Sequence, residues 1–252
     1  MTASEAASCP YRGLAPPPEL RAHLLSVWTV GPASGGTETV LPDGSIDIVW
    51  PEGERPIVAG PDTGPVPSTR PPRSTVVGAS FRPGAAPAML DIPADELRDL
   101  RVPLSEAWGR DAERLETSLD GARSASARLK LLGHELRRRL KRAERPDQLV
   151  AAAVARLRDT HATSVSEIAQ ELGISERQLR RRFDTTVGYG PKTLARVLRF
   201  QQMLALARQR SSRDLGQLAL DAGYADQAHM TMECTRLAGL PPGQLIAERY
   251  LL

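Results

Sequence analysis

Four arginines fall within six consecutive residues, Arg177, Arg180, Arg181 and Arg182, with Gln178 among them. On a helix, Leu179 and Phe183 stand four apart and face a core, which turns Arg177, Gln178, Arg180 and Arg181 outward. Guanidinium groups placed this way can neutralise phosphates, and each can donate two parallel hydrogen bonds to the O6 and N7 acceptors of guanine. A glutamine amide makes the matching pair with adenine. The plainer use of such arginines is to keep a surface helix wet, so the weight of the argument falls on the residues that precede them.

Val165, Ile168, Ala169 and Leu172 form one apolar stripe at helical spacing. Ala169 is small where a second helix must come close, Gly173 supplies a tight turn, Ile174 plugs the corner, and Ser175 can cap the helix that carries the arginines. This is a helix-turn-helix with a basic second helix, the shape that enters the major groove of B-DNA. About fifty residues later the pattern recurs: Leu215, Leu218, Ala219 and Ala222 repeat the stripe, Gly223 the turn, Tyr224 the plug and Asp226 the cap. The helix it opens carries Gln227, His229 and Thr231. No second metal-ligating side chain stands at ligand spacing from His229, so we expect no metal there. Between the units, Leu194 to Leu206 rises ~1.5 Å per residue, enough to hold them roughly one DNA turn apart.

From these residues the chain resembles the AraC family of bacterial regulators over about residues 148–252. The resemblance rests on Ile168-Ala169 with Gly173 and Ser175, Phe183 with Gly188-Tyr189-Gly190-Pro191, Arg199, Leu218-Ala219 with Ala222-Gly223-Tyr224, Asp226-Gln227 with His229, and Gly239 with Pro241-Pro242. It implies two recognition helices in adjacent major-groove segments, Arg177, Gln178, Arg180 and Arg181 serving the first and Gln227, His229 and Thr231 the second. Two positions depart from the family pattern. Met232 stands where an arginine is usual and Cys234 where an aromatic is usual, so the first unit is expected to dominate affinity.

The periodicity predicts seven helices in this part, near Asp147–Thr160, Val165–Leu172, Glu176–Val187, Pro191–Gln209, Leu215–Ala222, Gln227–Leu237 and Pro242–Arg249. The first 105 residues read differently. Turn signals such as Pro42-Asp43-Gly44 and Arg82-Pro83-Gly84 separate short β-type runs at Leu24–Val30, Glu38–Leu41, Ile46–Trp50, Ile57–Ala59 and Val76–Phe81, in a small antiparallel barrel or sandwich. Val40 to Trp50, Val77 to Ala86 and Val102 to Leu104 resemble an uncharacterised N-terminal domain of one subgroup of AraC-type regulators, which implies a β-rich sensor without naming its ligand. Asp43, Asp47 and Arg82 could contact such a ligand; turn chemistry and a buried ion pair are the plainer expectation. Helical pattern returns at Ala94–Leu100 and Arg110–Leu140, where Leu115, Leu119, Leu129, Leu132, Leu136 and Leu140 either pack on their own domain or form a dimer seam. The basic run Arg137-Arg138-Arg139 and Lys141-Arg142 leads into a linker at Pro146.

Composition agrees with this division. A chain of 252 residues that is 41% hydrophobic and 25% charged folds. Residues 149–252 carry 14 Lys and Arg against 10 Asp and Glu, leaving 19 against 20 for residues 1–148, so the basic balance lies where the arginine helix lies. Cys9 and Cys234 can build neither a disulfide framework nor a zinc cluster. With no signal-like leader and no run near the ~18 apolar residues of a membrane span, a cytoplasmic protein is expected.

The expected fold is α+β: a β-rich barrel-like domain with amphipathic helices over 1–105, a helical dimerisation or linker segment over 106–147, and an all-α tandem helix-turn-helix domain over 148–252. The expected function is sequence-specific regulation of transcription under a ligand or partner of the N-terminal domain. The expected partners are double-stranded promoter DNA, RNA polymerase, a small-molecule effector and a second copy of the chain, without membrane or cofactor. Two alternatives compete: a protein-interaction module on a degenerate helix-turn-helix domain, and a small-molecule-binding barrel enzyme. The enzyme reading lacks ligands, because His23 is the only histidine before His134, and no nucleophile elbow or phosphate loop is present.

Overall fold

The computed structural model describes residues 11–32, 35–117, 124–159, 164–209 and 214–250. Cys9, Leu119 and Thr160 lie outside them.

Among the described residues, eight strands precede the helical half: β1 (Tyr11–Leu14), β2 (Leu24–Val30), β3 (Gly36–Val40), β4 (Asp47–Pro51), β5 (Ile57–Ala59), β6 (Val66–Arg70), β7 (Val76–Phe81) and β8 (Arg101–Pro103). Six form one antiparallel sheet in the order β1-β2-β7-β4-β5-β8, and β3 pairs with β6 as a separate ribbon. The alternation in β4 assigns the faces. Ile48 and Trp50 are fully buried in the hydrophobic core, whereas Asp47 and Val49 point to the other side, into a cavity that the ribbon helps to enclose. Gly78 of β7 has no tolerance for a side chain, since a Cβ there would lie 2.2 Å from the Trp28 ring.

The core face of the sheet is covered by α1 (Pro87–Leu90), α2 (Leu104–Trp108), α3 (Arg110–Thr117) and α4 (Ala125–Leu140). Leu132 and Leu136 are wholly buried in that same core, with Leu129 and Leu140 packed at its margin. The leucine stripe therefore packs on its own domain. The helix expected at Ala94–Leu100 is a single 3-10 turn, Ala94–Leu97, because Arg98 is extended and Asp99 has a φ of 57°.

Seven helices follow: α5 (Gln148–Asp159), α6 (Val165–Glu171), α7 (Glu176–Val187), α8 (Pro191–Gln209), α9 (Leu215–Asp221), α10 (Gln227–Ala238) and α11 (Pro242–Tyr250). They surround two cores. Val150, Ile168, Ala169, Leu179, Phe183 and Leu194 make the first, and Val197, Phe200, Leu218, Ala219, Tyr224, Met230 and Cys234 the second. Leu194 and Val197 are neighbours on α8, so this one helix enters both cores and sets their separation.

The two halves are joined by more than the chain. Leu41 packs into the second helical core, Gln201 of α8 donates to the Pro42 carbonyl at 2.6 Å, and Arg249 donates to the Thr39 carbonyl at 2.6 Å. All three N-terminal residues border the start of the cavity's wall, so the helical domain touches the rim of the enclosed space.

Candidate nucleic-acid interface

The first helix-turn-helix is built from its caps. Ser164 and Glu167 close a capping box on α6, and Ser175 and Gln178 close another on α7, each pair satisfying two otherwise orphaned backbone N–H groups. Between them Gly173 takes a φ of 68°, and the Ile174 amide donates to the Ala169 carbonyl at 3.0 Å. The second unit repeats this turn: Gly223 has a φ of 82°, and the Tyr224 amide donates to the Ala219 carbonyl at 2.9 Å. Asp214 and Asp226 cap α9 and α10.

On α7, Leu179 and Phe183 are fully buried while Arg177, Gln178, Arg180 and Arg181 are exposed. Arg180 reaches Asp184 only at 3.8 Å and keeps 77% of its side chain in solvent. Gln178 is held differently. Its Oε1 accepts from the Ser175 amide at 2.9 Å and from the Ser175 hydroxyl at 3.0 Å, which leaves its NH2 group facing out. The fourth arginine, Arg182, is set apart by an ion pair to Asp147 at 2.5 Å, and Asp147 also accepts from the Leu149 amide at the start of α5. Arg182 thus ties α7 to α5.

On α10, Gln227 is exposed and Thr231 half-buried, and the Thr231 hydroxyl donates to the Gln227 carbonyl at 2.8 Å. His229 turns inward. Its Nε2 lies 3.2 Å from Glu233, and its ring stands edge-on to Tyr224. Glu233 also meets Arg199 of α8 at 3.6 Å, and the Arg199 guanidinium lies over the Tyr224 ring. His229 therefore belongs to a network that fixes α10 on α8. Burial pushes the Tyr224 phenol upward and the Cys234 thiol up to about 12, so both stay neutral. Cys234 is fully buried, its thiol against the Leu240 carbonyl, whereas Met232 is 66% exposed.

The second site is the cavity of about 540 Å³ between sheet and ribbon. Tyr11, Trp28, Val49 and Ile57 give it an apolar wall, and five carboxylates to two arginines line it. Arg101 pairs with Asp62 at 2.7 Å and Arg70 with Glu38 at 3.1 Å. Asp43 makes the expected turn, accepting from the Ser45 amide at 2.8 Å. The expected ion pair with Arg82 is not formed; Arg82 donates instead to the Arg21 carbonyl at 2.7 Å. The Ser45 hydroxyl oxygen lies 2.8 Å from Asp43 and 2.7 Å from Asp47. One hydroxyl has one proton, so both contacts are satisfied when a carboxyl supplies the other. Burial first, and then the charge of Asp43, push Asp47 up to about 7, which marks Asp47 as that carboxyl. The residues that matter here were partly missed from sequence: Trp28, Ser45 and Arg101 are separated widely along the chain, and only strand order brings them together. Among the described residues there is no group of three or more side chains arranged to hold a metal ion. Likewise no described helix is long and apolar enough to cross a membrane.

Residues 168–248 match the family model of a helix-turn-helix domain, and residues 12–103 match that of a domain of unknown function, DUF6597. No protein of curated function matches the chain. Among solved structures the chain is similar to ToxT from Vibrio cholerae O395, at 11% identity and a TM-score of 0.44 over 87% of this chain and 95% of that one. It is similar also to a P21 crystal form of ToxT from Vibrio cholerae, at 9% identity and a TM-score of 0.46 over 94% and 97%. The two helix-turn-helix units thus fall in the C-terminal match and the β-rich sheet in the N-terminal one, so the chain carries a helix-turn-helix domain together with a DUF6597 domain.

Proposed function

We propose that this chain is an AraC-type transcription regulator that reads adjacent major-groove segments of promoter DNA with α7 and α10. Arg177, Gln178, Arg180 and Arg181 serve the first segment, and Gln227, His229 and Thr231 belong to the second. The observation that carries the reading is the side-by-side exposure of Arg177, Arg180 and Arg181 on a helix whose start is fixed by a capping box. Such a helix sets the backbone positions of these donors in advance, and the planar guanidinium fork loses less entropy per hydrogen bond formed than a flexible donor would when a guanine edge is met. Residues 148–252 act as the DNA-binding domain, residues 1–105 as the sensor, and residues 106–147 as the segment joining them.

Control arises through the cavity. A small molecule that enters it presses on the rim at Leu41 and Pro42, which the helical domain contacts, and so shifts the population of arrangements in which α7 and α10 reach DNA together. The excess of carboxylates in the lining repels anions. RNA polymerase and a second copy of the chain are the macromolecular partners of this reading, the cytoplasm its setting, and the chain does no catalysis.

The test is selection of bound duplexes from a random pool by the intact chain at two salt concentrations. A site with two elements about one helical turn apart, bound with a steep salt dependence, is the expected result. No sequence above background at either salt would overturn the reading.

A further inference from the structure

The outward face of α10 is built of carbon, and this decides what it can read, given the DNA-reading role proposed above. Ala228, Thr231, Met232 and Thr235 lie at three- and four-residue spacings and line one shallow groove with Gln227 and Arg236. The two threonines have no hydroxyl proton free for a ligand. Thr231 donates to the Gln227 carbonyl at 2.8 Å and Thr235 to the Thr231 carbonyl at 2.8 Å, so both protons are held within the helix while both side chains line the groove. His229, the one imidazole nearby, has Nε2 on Glu233 and Nδ1 3.5 Å from the Ala225 amide. What remains in the middle of the face is the Ala228 methyl, two threonine methyls and a Met232 thioether that is 66% exposed.

In the major groove three bases present only hydrogen-bonding atoms, and thymine alone presents a methyl group. A face without central donors leaves the O6 and N7 acceptors of guanine and the N7 acceptor of adenine unpaired, and it loses free energy by covering them. It gains from a thymine methyl about fourfold in affinity for each carbon removed from water. Counted from the N-caps Ser175 and Asp226, the α7 positions equivalent to Ala228, Thr231 and Met232 carry Arg177, Arg180 and Arg181, so the two recognition helices ask for different chemistry.

We propose that the second recognition helix selects thymine through its 5-methyl group, with Ala228, Thr231 and Met232 as the reading surface, while the first selects guanine. The experiment starts from the duplex selected by the intact chain and replaces thymine by deoxyuridine, which pairs identically and lacks only the methyl. The expected result is a loss of about fourfold in affinity for each methyl removed in the element under α10, and no change in the element under α7. In Met232→Ala, an exposed change that a helix tolerates, the thymine-to-uracil ratio at the α10 element should fall towards one. Equal affinity for thymine and uracil throughout that element, with specific binding intact, would overturn the inference and leave the DNA-reading role standing. A Met232→Ala protein that changes oligomeric mass while the ratio stays at one in both forms would assign the face to a protein partner instead. Absence of any specific duplex would overturn the role itself.

Discussion

Arg98 of the N-terminal domain donates from Nε to the carbonyl oxygen of Gly188 at 2.5 Å, closing the C-terminal end of α7. That end carries the negative pole of the helix, and Gly188 holds the left-handed cap with a φ of 95°. The joint is tight, since a Cβ on Gly188 would lie 2.5 Å from Pro61 and 2.8 Å from the Ala94 carbonyl. A residue of the N-terminal domain thus bears directly on α7.

Replacing Arg98 with Ala should loosen this joint by about 1 kcal/mol, the scale of one charge-assisted hydrogen bond at a partly exposed site. Amide hydrogen exchange reads it. The last turn of α7 should exchange several-fold faster while the first turn, held by Ser175 and Gln178, keeps its protection. Equal protection of both ends in the variant would mean that the close packing of Pro61 and the Ala94 backbone holds the joint alone.

Leu136 is fully buried in the N-terminal core. Leu136→Ala should therefore lower the stability of the chain by roughly 2–5 kcal/mol, a lost side chain plus the cavity it leaves. Denaturant titration measures the loss, and sedimentation measures the mass. A fall in mass with stability unchanged would return the stripe to a dimer seam.

How far the sequence carries depends on whether an element is specified locally. The bounds of α7 are legible because Ser175 and Gly188 mark both ends, and α8 is bounded by Pro191. Strands β2, β5 and β7 are legible as apolar runs between turn residues. Strands β1, β6 and β8 are not: β1 is exposed along its length, β6 reads Val-Pro-Ser-Thr-Arg, and β8 has three residues, so pairing partners rather than pattern make them strands. The same holds for function. The arginines of α7 announce themselves by type and spacing, whereas the carbon face of α10 depends on where two threonine hydroxyls point, and the inward turn of His229 depends on Glu233 and Arg199 from the next turn and another helix.

Arg180→Ala with Arg181→Ala should abolish specific DNA binding and leave the fold intact. Each bidentate base contact is worth ~1–3 kcal/mol, whereas exposed changes away from caps and cores move stability by about 0.5 kcal/mol. Arg182→Ala is the informative contrast, because that guanidinium holds Asp147. It should lower thermal stability and weaken binding alike for specific and random duplexes. A double variant that keeps its site preference would remove Arg180 and Arg181 from the reading surface.

Asp47 ties stability to pH, with a sign opposite to that of most carboxylates. Burial, and behind it the neighbouring charge of Asp43, raise its carboxyl from the ordinary 3.8 to about 7 in the folded chain. Between those values the folded state keeps a proton that the unfolded state has released, so stability falls as pH rises through the window and levels off above it. Asp47→Asn keeps the shape and removes the titration. Its stability relative to the native chain should grow steadily from about pH 4 to about pH 7 and then stay constant, which denaturant midpoints at a series of pH values will show. A difference that is flat across the window would mean that Asp47 is ionised in the folded chain, its charge answered by Arg101 on the cavity wall, and that the Ser45 proton serves one carboxylate only.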